Sequence, residues 1–512
     1  MTSRALGVVR EQVLAYLFGA GDAMDAYNVA FRIPNLVRDL FAEGAMSSAF
    51  VPTFTRTLTL DGPRAAWRLA SSVINALLLV TAALVVVGIL IAGPLVSAFA
   101  AEFSAVPGKL LLTVHLTRVM LPFLTLVALA SVLMGMLNSL HRFFVPALSP
   151  AMFNVATIVC ALTLVPLMPR LGAAPIMAVA IGTIAGGLGQ VALQWPSVRR
   201  AGYRYEPVLD LGDAGLRRVL LLMGPGTIGL AATQVNVFVN TVLATGEGTG
   251  AVSWLNYAFR LMYLPIGLFG VSVATAAVPS ISRLAAAGDR AGIRRTVGDG
   301  ITLMLMLNIP ATFGLVALGA PIVALLFERG RFTPADTAAT AAALQFYAVG
   351  LVGYSLVRIA SPTFYALHDS RTPVTVSIVA VLLNAALNWW LAGVMGYRGL
   401  ALGTSIAALI NAGALLWLLR RRLGGIEGTR IAVASAKITL AATVMALAAW
   451  AVDRELVHLL PGTRLAVQAL RLALAMGAAF ATLGAAAHLL RIEEFHQALA
   501  AVTSRLGRAR TM

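Results

Sequence analysis

The sequence predicts an all-α polytopic membrane protein with about 14 transmembrane helices, arranged as two six-helix lobes in parallel repeat plus a C-terminal helix pair. Its 512 residues are 59% hydrophobic and only 12% charged, with a mean hydropathy of +0.86, whereas soluble proteins are about 25% charged. Apolar runs of roughly 20 residues, long enough to cross a bilayer as helices, recur from end to end. Two sequence junctions also repeat at one offset.

Breaks at Gly, Pro, Arg or acidic residues separate the apolar runs. The predicted spans are 3–19, 25–51, 68–99, 110–137, 146–167, 173–196, 216–244, 251–280, 297–327, 336–366, 373–395, 399–419, 431–452 and 465–490. The predicted domains are an N-lobe at 1–200, a C-lobe at 213–424, the helix pair at 430–490 and a basic cytoplasmic tail at 491–512. Pro34, Pro225 and Pro265 predict helix interruptions of the kind found in transporters. Because the first span is short, we expect an earlier natural start.

Two pairs of junctions indicate an internal repeat. VPTFTR at 51–56 matches VPSISR at 278–283, and NSLHRFFVP at 138–146 matches HDSRTP at 368–373. Pro52 and Pro279 are 227 residues apart, and so are Pro146 and Pro373. An even number of predicted spans separates the copies, so the two lobes have parallel topology. Transporters commonly bind substrate between such lobes.

The formal charge of +17 is concentrated in alternate loops. Arginines cluster at 56–68, 142, 199–218, 283–295, 371, 420–430 and 491–510, whereas 19–22, 101–109, 245–250 and 396–398 are poor in basic residues. This alternation follows the positive-inside rule. We therefore place the protein in an inner membrane with both termini in the cytoplasm, and we expect no nucleic-acid partner. The sequence contains no metal-ligand cluster, nucleophile elbow or Walker motif, so we expect no enzyme.

Ionisable residues lie inside the first two spans. At about 100° per residue, one polar stripe of the second span holds Asp25, Asn28, Arg32, Asn35, Asp39 and Glu43, with Arg38 beside it. Four charges within 31–52 cost roughly 12 kcal/mol on insertion, and the apolar residues of that stretch return roughly 4 kcal/mol. The stripe must therefore face protein or a water-filled cavity. In the first span Arg4 and Glu11 share a face with Arg10 beside them, and the eighth span contains Arg260.

Two interpretations of these charges stay open for any single residue. The acids could simply neutralise the arginines and hold helices together. For the whole set we favour an anionic ligand, because arginines on three helices outnumber the nearby acids. A guanidinium binds phosphate oxygens in bidentate fashion, and a lipid-linked diphosphate is the obvious anion in a membrane.

Four segments resemble the MurJ (MviN) lipid II flippase family, part of the multidrug/oligosaccharidyl-lipid/polysaccharide (MOP) exporter superfamily. They are SRALGVVRE at 3–11, the run at 19–52, NSLHRFFVPALSP at 138–150 and SWLNYAFRLMYLPIGLFG at 253–270. The resemblance covers essentially the whole chain, and fourteen spans fit it. It implies alternating-access transfer of lipid II, an undecaprenyl-diphosphate-linked disaccharide pentapeptide, from the cytoplasmic to the periplasmic leaflet for peptidoglycan synthesis.

The resemblance also implies which residues form the site. It assigns the diphosphate and head group to Arg4, Arg10, Arg38 and Arg260. Other cavity-lining residues are Ser3, Glu11, Asp25, Arg32, Asn35, Asp39, Glu43 and Ser253. The helix pair from about 431 to 490 would hold the lipid tail. We expect lipid II and bilayer phospholipid as ligands and a monomeric protein, with association with the cell-wall synthesis machinery as a further hypothesis.

Some members of the family bind sodium in the second lobe through an Asn and an Asp. The matching positions are Asn384 and Asn388, with Thr404 and Asn236 nearby. Neutral amides are poor substitutes for a carboxylate around a hard cation. We therefore expect no cofactor and do not favour sodium coupling, and membrane potential acting on buried charge is the alternative.

Other functions differ from this prediction in the residues they require. A flippase for another polyprenyl-diphosphate-linked glycan would use the same arginines and stays the nearest alternative. A drug antiporter should carry acids in the first lobe to bind cations. A membrane glycosyltransferase would usually need carboxylates near a membrane face, whereas the loop acids Glu102, Glu247, Glu328 and Asp336 are scattered.

Overall fold

The structure is a computed structural model that describes residues 2–39, 46–462 and 464–495. These residues form nineteen α-helices and no β-strand, as expected for an all-α membrane protein. The chain divides into two compact units. The first comprises Met1–Ser253 with Arg329–Phe332, and the second comprises Trp254–Glu328 with Thr333–Met512.

The helices of the first unit correspond to the first seven predicted spans. They are α1 (Thr2–Phe18), α2 (Asp22–Arg38), α3 (Met46–Leu60), α4 (Gly62–Leu90), α5 (Ala92–Ala100), α6 (Lys109–Met120), α7 (Phe123–Ser139), α8 (Phe144–Leu164), α9 (Met177–Arg200) and α10 (Ala214–Thr245). Phe50, Phe54, Val73, Leu133 and Tyr203 are fully enclosed in its core. The span predicted at 25–51 corresponds to α2 and α3, and residues 40–45 between them lie outside the described residues.

The second unit contains the helices of the remaining spans. They are α11 (Ala251–Pro265), whose first three residues belong to the first unit, α12 (Val271–Ala286), α13 (Arg290–Phe327), α14 (Pro334–Val349), α15 (Leu351–Ala366), α16 (Arg371–Met395), α17 (Tyr397–Leu423), α18 (Gly428–Leu459) and α19 (Leu465–Leu489). Its core joins α13, α15, α17 and α18 through Val297, Ile301, Ile359, Leu415 and Ile438.

Eleven segments of the described chain are long and apolar enough to cross a membrane. Several predicted spans consist of two helices with a local break. Pro122 separates α6 from α7, and a π-helical turn at Ile266–Gly270 follows Pro265 between α11 and α12, because proline lacks the N–H that continues the helix ladder. The interruption predicted at Pro265 is therefore confirmed, whereas Pro34 lies within a continuous α2.

The same turn conformation occurs twice at the predicted repeat offset. His141 and His368, 227 residues apart, both have φ of 57°, an uncommon value for a residue with a side chain. Arg142 N donates to Leu137 O at 2.9 Å, and Asp369 N donates to Phe364 O at 2.9 Å. Corresponding residues in the two copies thus end a helix with one hydrogen-bond pattern, which confirms the repeat that the sequence predicted at this junction.

The carboxylate of Asp369 stabilises the second of these turns. Asp369 accepts hydrogen bonds from Thr372 N at 3.0 Å and Thr372 Oγ1 at 2.8 Å, and it pairs with Arg422 at the end of α17. The Thr372 hydrogen bonds, and then the charge of Arg422, hold the pKa of Asp369 below its ordinary value of 3.8. A lowered pKa means that the carboxylate stabilises the fold above pH 3.8 and loses this contribution as the pH falls further.

We predict that Asp369→Asn destabilises the protein at neutral pH and that the difference from wild type shrinks below pH 3.8. Thermal unfolding of both purified proteins in detergent between pH 3 and pH 7, roughly the range over which carboxylates titrate, measures this. A difference that stays constant over that range would show that the Asp369 charge contributes nothing.

Helices α16 and α17 pack closely where α17 has glycine. A Cβ added at Gly399 would lie 2.1 Å from Leu391 O, and one added at Gly413 would meet no atom within 4 Å. Gly399→Ala should therefore destabilise the protein by about 1–3 kcal/mol through overpacking against backbone. Gly413→Ala, on the same helix, should be neutral or stabilising by up to about 1 kcal/mol. Thermal unfolding checks both, and equal effects would contradict the close packing.

Candidate functional site

The first group of predicted site residues lies on α1. Arg10 and Glu11 are 6% and 5% exposed, and Arg10 Nη2 lies 2.6 Å from Glu11 Oε1. The guanidinium of Arg10 also lies 5.0 Å from the ring centroid of Phe153 on α8, a cation–π distance. Ser3 contributes its carbonyl oxygen, which accepts a hydrogen bond from Asn154 Nδ2 at 3.1 Å. Arg4 lies on α1, and its side chain is outside the described part of the structure.

The second group lies at the carboxyl end of α2. Arg38 donates to Asp39 Oδ1 from Nη2 at 2.8 Å and from Nε at 3.1 Å. Asn35 Nδ2 lies 3.5 Å from Asp39 Oδ2. The Oδ1 atom of Asn35 is buried without a hydrogen-bond partner among the described residues. Arg32 is partly buried on the same helix, and Glu43 lies outside the described residues.

The third group surrounds Asp25, which is fully buried near the start of α2. Its carboxylate accepts hydrogen bonds from Gly250 N at 2.7 Å, Ser253 N at 3.0 Å and Ser253 Oγ at 2.7 Å. Lys109 Nζ lies 3.0 Å from Asp25 Oδ2, and Asn28 Nδ2 donates to Ser253 Oγ at 3.2 Å. Asp25 and Ser253 were both predicted site residues, and the structure brings them together.

Lys109 is a functional candidate that the sequence analysis missed. It was counted as the end of a base-poor loop, yet it begins α6 and is 3% exposed. The chain has 38 lysines and arginines, of which only Lys109 and Lys437 are lysines. A rare lysine at the edge of an apolar span was the available signal. Its partner could not be read from the sequence, because 84 residues separate Lys109 from Asp25.

The second unit contains Arg260 and three of the residues considered for an ion site. Arg260 Nε donates to Asn256 Oδ1 at 3.0 Å. Asn388 Nδ2 donates to Asn384 Oδ1 at 3.0 Å and to Thr404 Oγ1 at 3.2 Å. Asn384 Oδ1 and Thr404 Oγ1 thus both accept from the Asn388 amide, and none of the three side chains carries a carboxylate.

Asn236, the fourth candidate for the ion site, is on α10 in the first unit and accepts a hydrogen bond from Asn240 Nδ2 at 3.1 Å. Among the described residues no group of three or more His, Cys, Asp or Glu side chains could hold a metal ion.

This fold is shared with solved membrane transporters. A lipid II flippase MurJ in an inward closed conformation matches with a TM-score of 0.77 and 25% identity, covering 95% of this chain and 97% of that one. An inward-facing multidrug resistance MATE family transporter of the MOP superfamily matches in fold with a TM-score of 0.70 and 16% identity, over 83% of this chain and 96% of that one. The fold is therefore that of solved helical membrane transporters.

Sequence comparison identifies the family. The family model described as lipid II flippase MurJ matches residues 14–467. A probable lipid II flippase MurJ from Vibrio cholerae is 34% identical over 422 residues, covering 81% of this chain and 80% of the relative. A probable lipid II flippase MurJ from Rhizobium meliloti is 34% identical over 484 residues, covering 94% of this chain and 90% of the relative. The chain belongs to the MurJ lipid II flippase family, a family of transporters of the bacterial inner membrane rather than of enzymes.

Proposed function

We propose that this protein moves lipid II across the cytoplasmic membrane by alternating access, with Arg4, Arg10, Arg38 and Arg260 binding the diphosphate and head group. The observation that carries the proposal is the burial of arginines in helices of a flippase-family chain. Arg10 is 6% exposed in α1, and Arg38 is about three-quarters buried at the end of α2. Burying such charges in a membrane protein is costly and usually functional.

The ion pairs suggest how the ligand is bound. Arg10 pairs with Glu11 and Arg38 pairs with Asp39, its neighbour in each case. Each phosphate of a diphosphate offers a guanidinium two neighbouring oxygens, as a carboxylate does. The diphosphate as a whole carries more negative charge than one carboxylate. The incoming head group therefore exchanges with carboxylates and does not meet bare cations. The acids keep the arginines from repelling one another before the ligand arrives, and their displacement couples binding to rearrangement.

Ligand exchange also defines the order of steps in the cycle. The inward-open cavity admits the head group, the arginines bind it, the cytoplasmic side closes, and outward opening releases the cargo. Both termini lie in the cytoplasm in this scheme, because the arginine-rich loops are on that side. Membrane potential acting on the buried charges drives the cycle, since the neutral side chains of Asn384, Asn388 and Thr404 offer no carboxylate to a coupling cation.

The proposal is tested in cells depleted of their own flippase, by the amount of lipid II exposed on the periplasmic face. Expression of this protein should restore exposure and growth. A second arm measures exposure of a different polyprenyl-diphosphate-linked glycan in cells depleted of their own flippase for that glycan. Restoration only in the second arm would move the cargo to that glycan, the nearest alternative, and would leave the diphosphate site in place.

A further inference from the structure

Lys109 occupies a position that helix energetics disfavour. It is the first residue of α6, where the helix dipole favours negative charge, and its side chain is only 2% exposed. The ammonium nitrogen lies 2.7 Å from Asp22 Oδ1 and 3.0 Å from Asp25 Oδ2, and 4.2 Å from the ring centroid of Phe103. Two carboxylates and one aromatic face compensate the buried charge.

Asp25, in turn, serves as the cap of another helix. Gly250 immediately precedes α11, and Ser253 is its third residue. Their N–H groups are among those that a helix leaves unsatisfied at its amino end, and both donate to Asp25. A carboxylate from α2 thus holds the start of α11 in the way that an N-cap residue would. Thr249 Oγ1 adds a hydrogen bond to Asp22 at 2.8 Å.

We propose that Lys109 is a positioning residue for transport: it holds the Asp25 carboxylate ionised and aimed at Gly250 and Ser253, and so sets how readily the start of α11 separates from α2. The inference rests on the proposed alternating-access function, in which this end of the protein opens on the periplasmic side. Asp25 needs its charge to bind three donors of one helix end. Lys109 supplies the countercharge from α6, so α2, α6 and α11 part only when this arrangement is broken.

The test measures accessibility directly and needs no lipid II. Ala251 is the first residue of α11 and is fully buried. In a Cys160→Ala background, Ala251→Cys is labelled in whole spheroplasts with a membrane-impermeant maleimide. We expect Lys109→Met, which keeps the length of the side chain and removes its charge, to raise the labelling rate several-fold. Lys109→Arg should label like the parent, and Lys437→Met, the other lysine of the chain, should have no effect.

Charge balance separates a positioning role from packing. The double variant Lys109→Met with Asp25→Asn removes both charges and should bring labelling part of the way back toward the parent value, since the single amide oxygen can still accept the hydrogen bonds of Ser253, although it cannot also accept that of Gly250. Unchanged labelling in Lys109→Met would overturn the proposal, as would a double variant that labels as fast as the single one. Should Lys109→Met fail to accumulate, abundance is compared instead: recovery in the double variant supports the proposal, and no recovery contradicts it.

The two hypotheses fail separately in this design. If the parent does not restore lipid II exposure but Lys109→Met still raises labelling, the cargo assignment is wrong and the role of Lys109 stands. If the parent restores exposure and the labelling of Lys109→Met is unchanged, lipid II transport stands and the role of Lys109 is wrong.

Discussion

Arg38→Ala and Arg260→Ala should each abolish growth of cells that depend on this protein, while the variants insert in the membrane at wild-type abundance. A bidentate guanidinium–phosphate pair contains two charge-assisted hydrogen bonds, each contributing about 1.5–3 kcal/mol. Loss of one pair should weaken head-group binding roughly a hundredfold or more. The measurement is complementation of flippase-depleted cells together with the amount of lipid II exposed on the periplasmic face.

Two controls make this result specific. Arg295 is exposed near the start of α13, so Arg295→Ala removes one positive charge away from the proposed site and should complement fully. Arg38→Lys retains the charge but loses the planar fork, and it should give intermediate exposure of lipid II. Normal growth of Arg38→Ala at equal abundance would mean that the Arg38–Asp39 pair only holds α2 together, the structural interpretation that the sequence left open.

Much of the fold could be predicted because the membrane imposes a simple rule. Each span needs about 20 apolar residues, so the spans at 146–167 and 373–395 recur as α8 and α16 within a few residues. The repeat offset was visible because Pro146 and Pro373 follow turns with the same backbone requirement. The break at Gly350 was not visible, since it depends on tertiary contact: a Cβ there would lie 2.7 Å from Ser405 Oγ on α17.

The partners of the site residues were harder to predict than the residues themselves. Helical periodicity places Asp25 on a polar stripe but describes only one helix. Arg10 pairs with Glu11 and Arg38 pairs with Asp39. Each pair joins sequence neighbours, whose side chains point about 100° apart on a helix, so helical periodicity does not predict their contact. Lys109 and Gly250 reach Asp25 through packing of distant segments, so no pattern along the chain indicated them. The binding roles of the arginines stay a prediction.

Asp25→Ala should be far more damaging than Asp22→Ala, although both aspartates lie on α2 and bind Lys109. The Asp25 side chain is fully buried and accepts hydrogen bonds from Gly250 and Ser253, whereas the Asp22 side chain is 46% exposed. Losing one partner of a buried pair costs about 3–5 kcal/mol, and losing a helix cap adds about 0.5–2 kcal/mol. The exposed Asp22 pair contributes roughly 0–1 kcal/mol.

Thermal unfolding of the two purified variants in detergent separates these contributions. We expect a large drop in unfolding temperature for Asp25→Ala and little change for Asp22→Ala. Asp25→Asn should fall between them, because its one amide oxygen can still accept from Ser253 but the side chain no longer accepts from Gly250 and no longer balances Lys109. Equal shifts for the alanine variants would mean that Asp22 alone neutralises Lys109, and the helix start at Gly250 would then be held by packing and not by the Asp25 carboxylate.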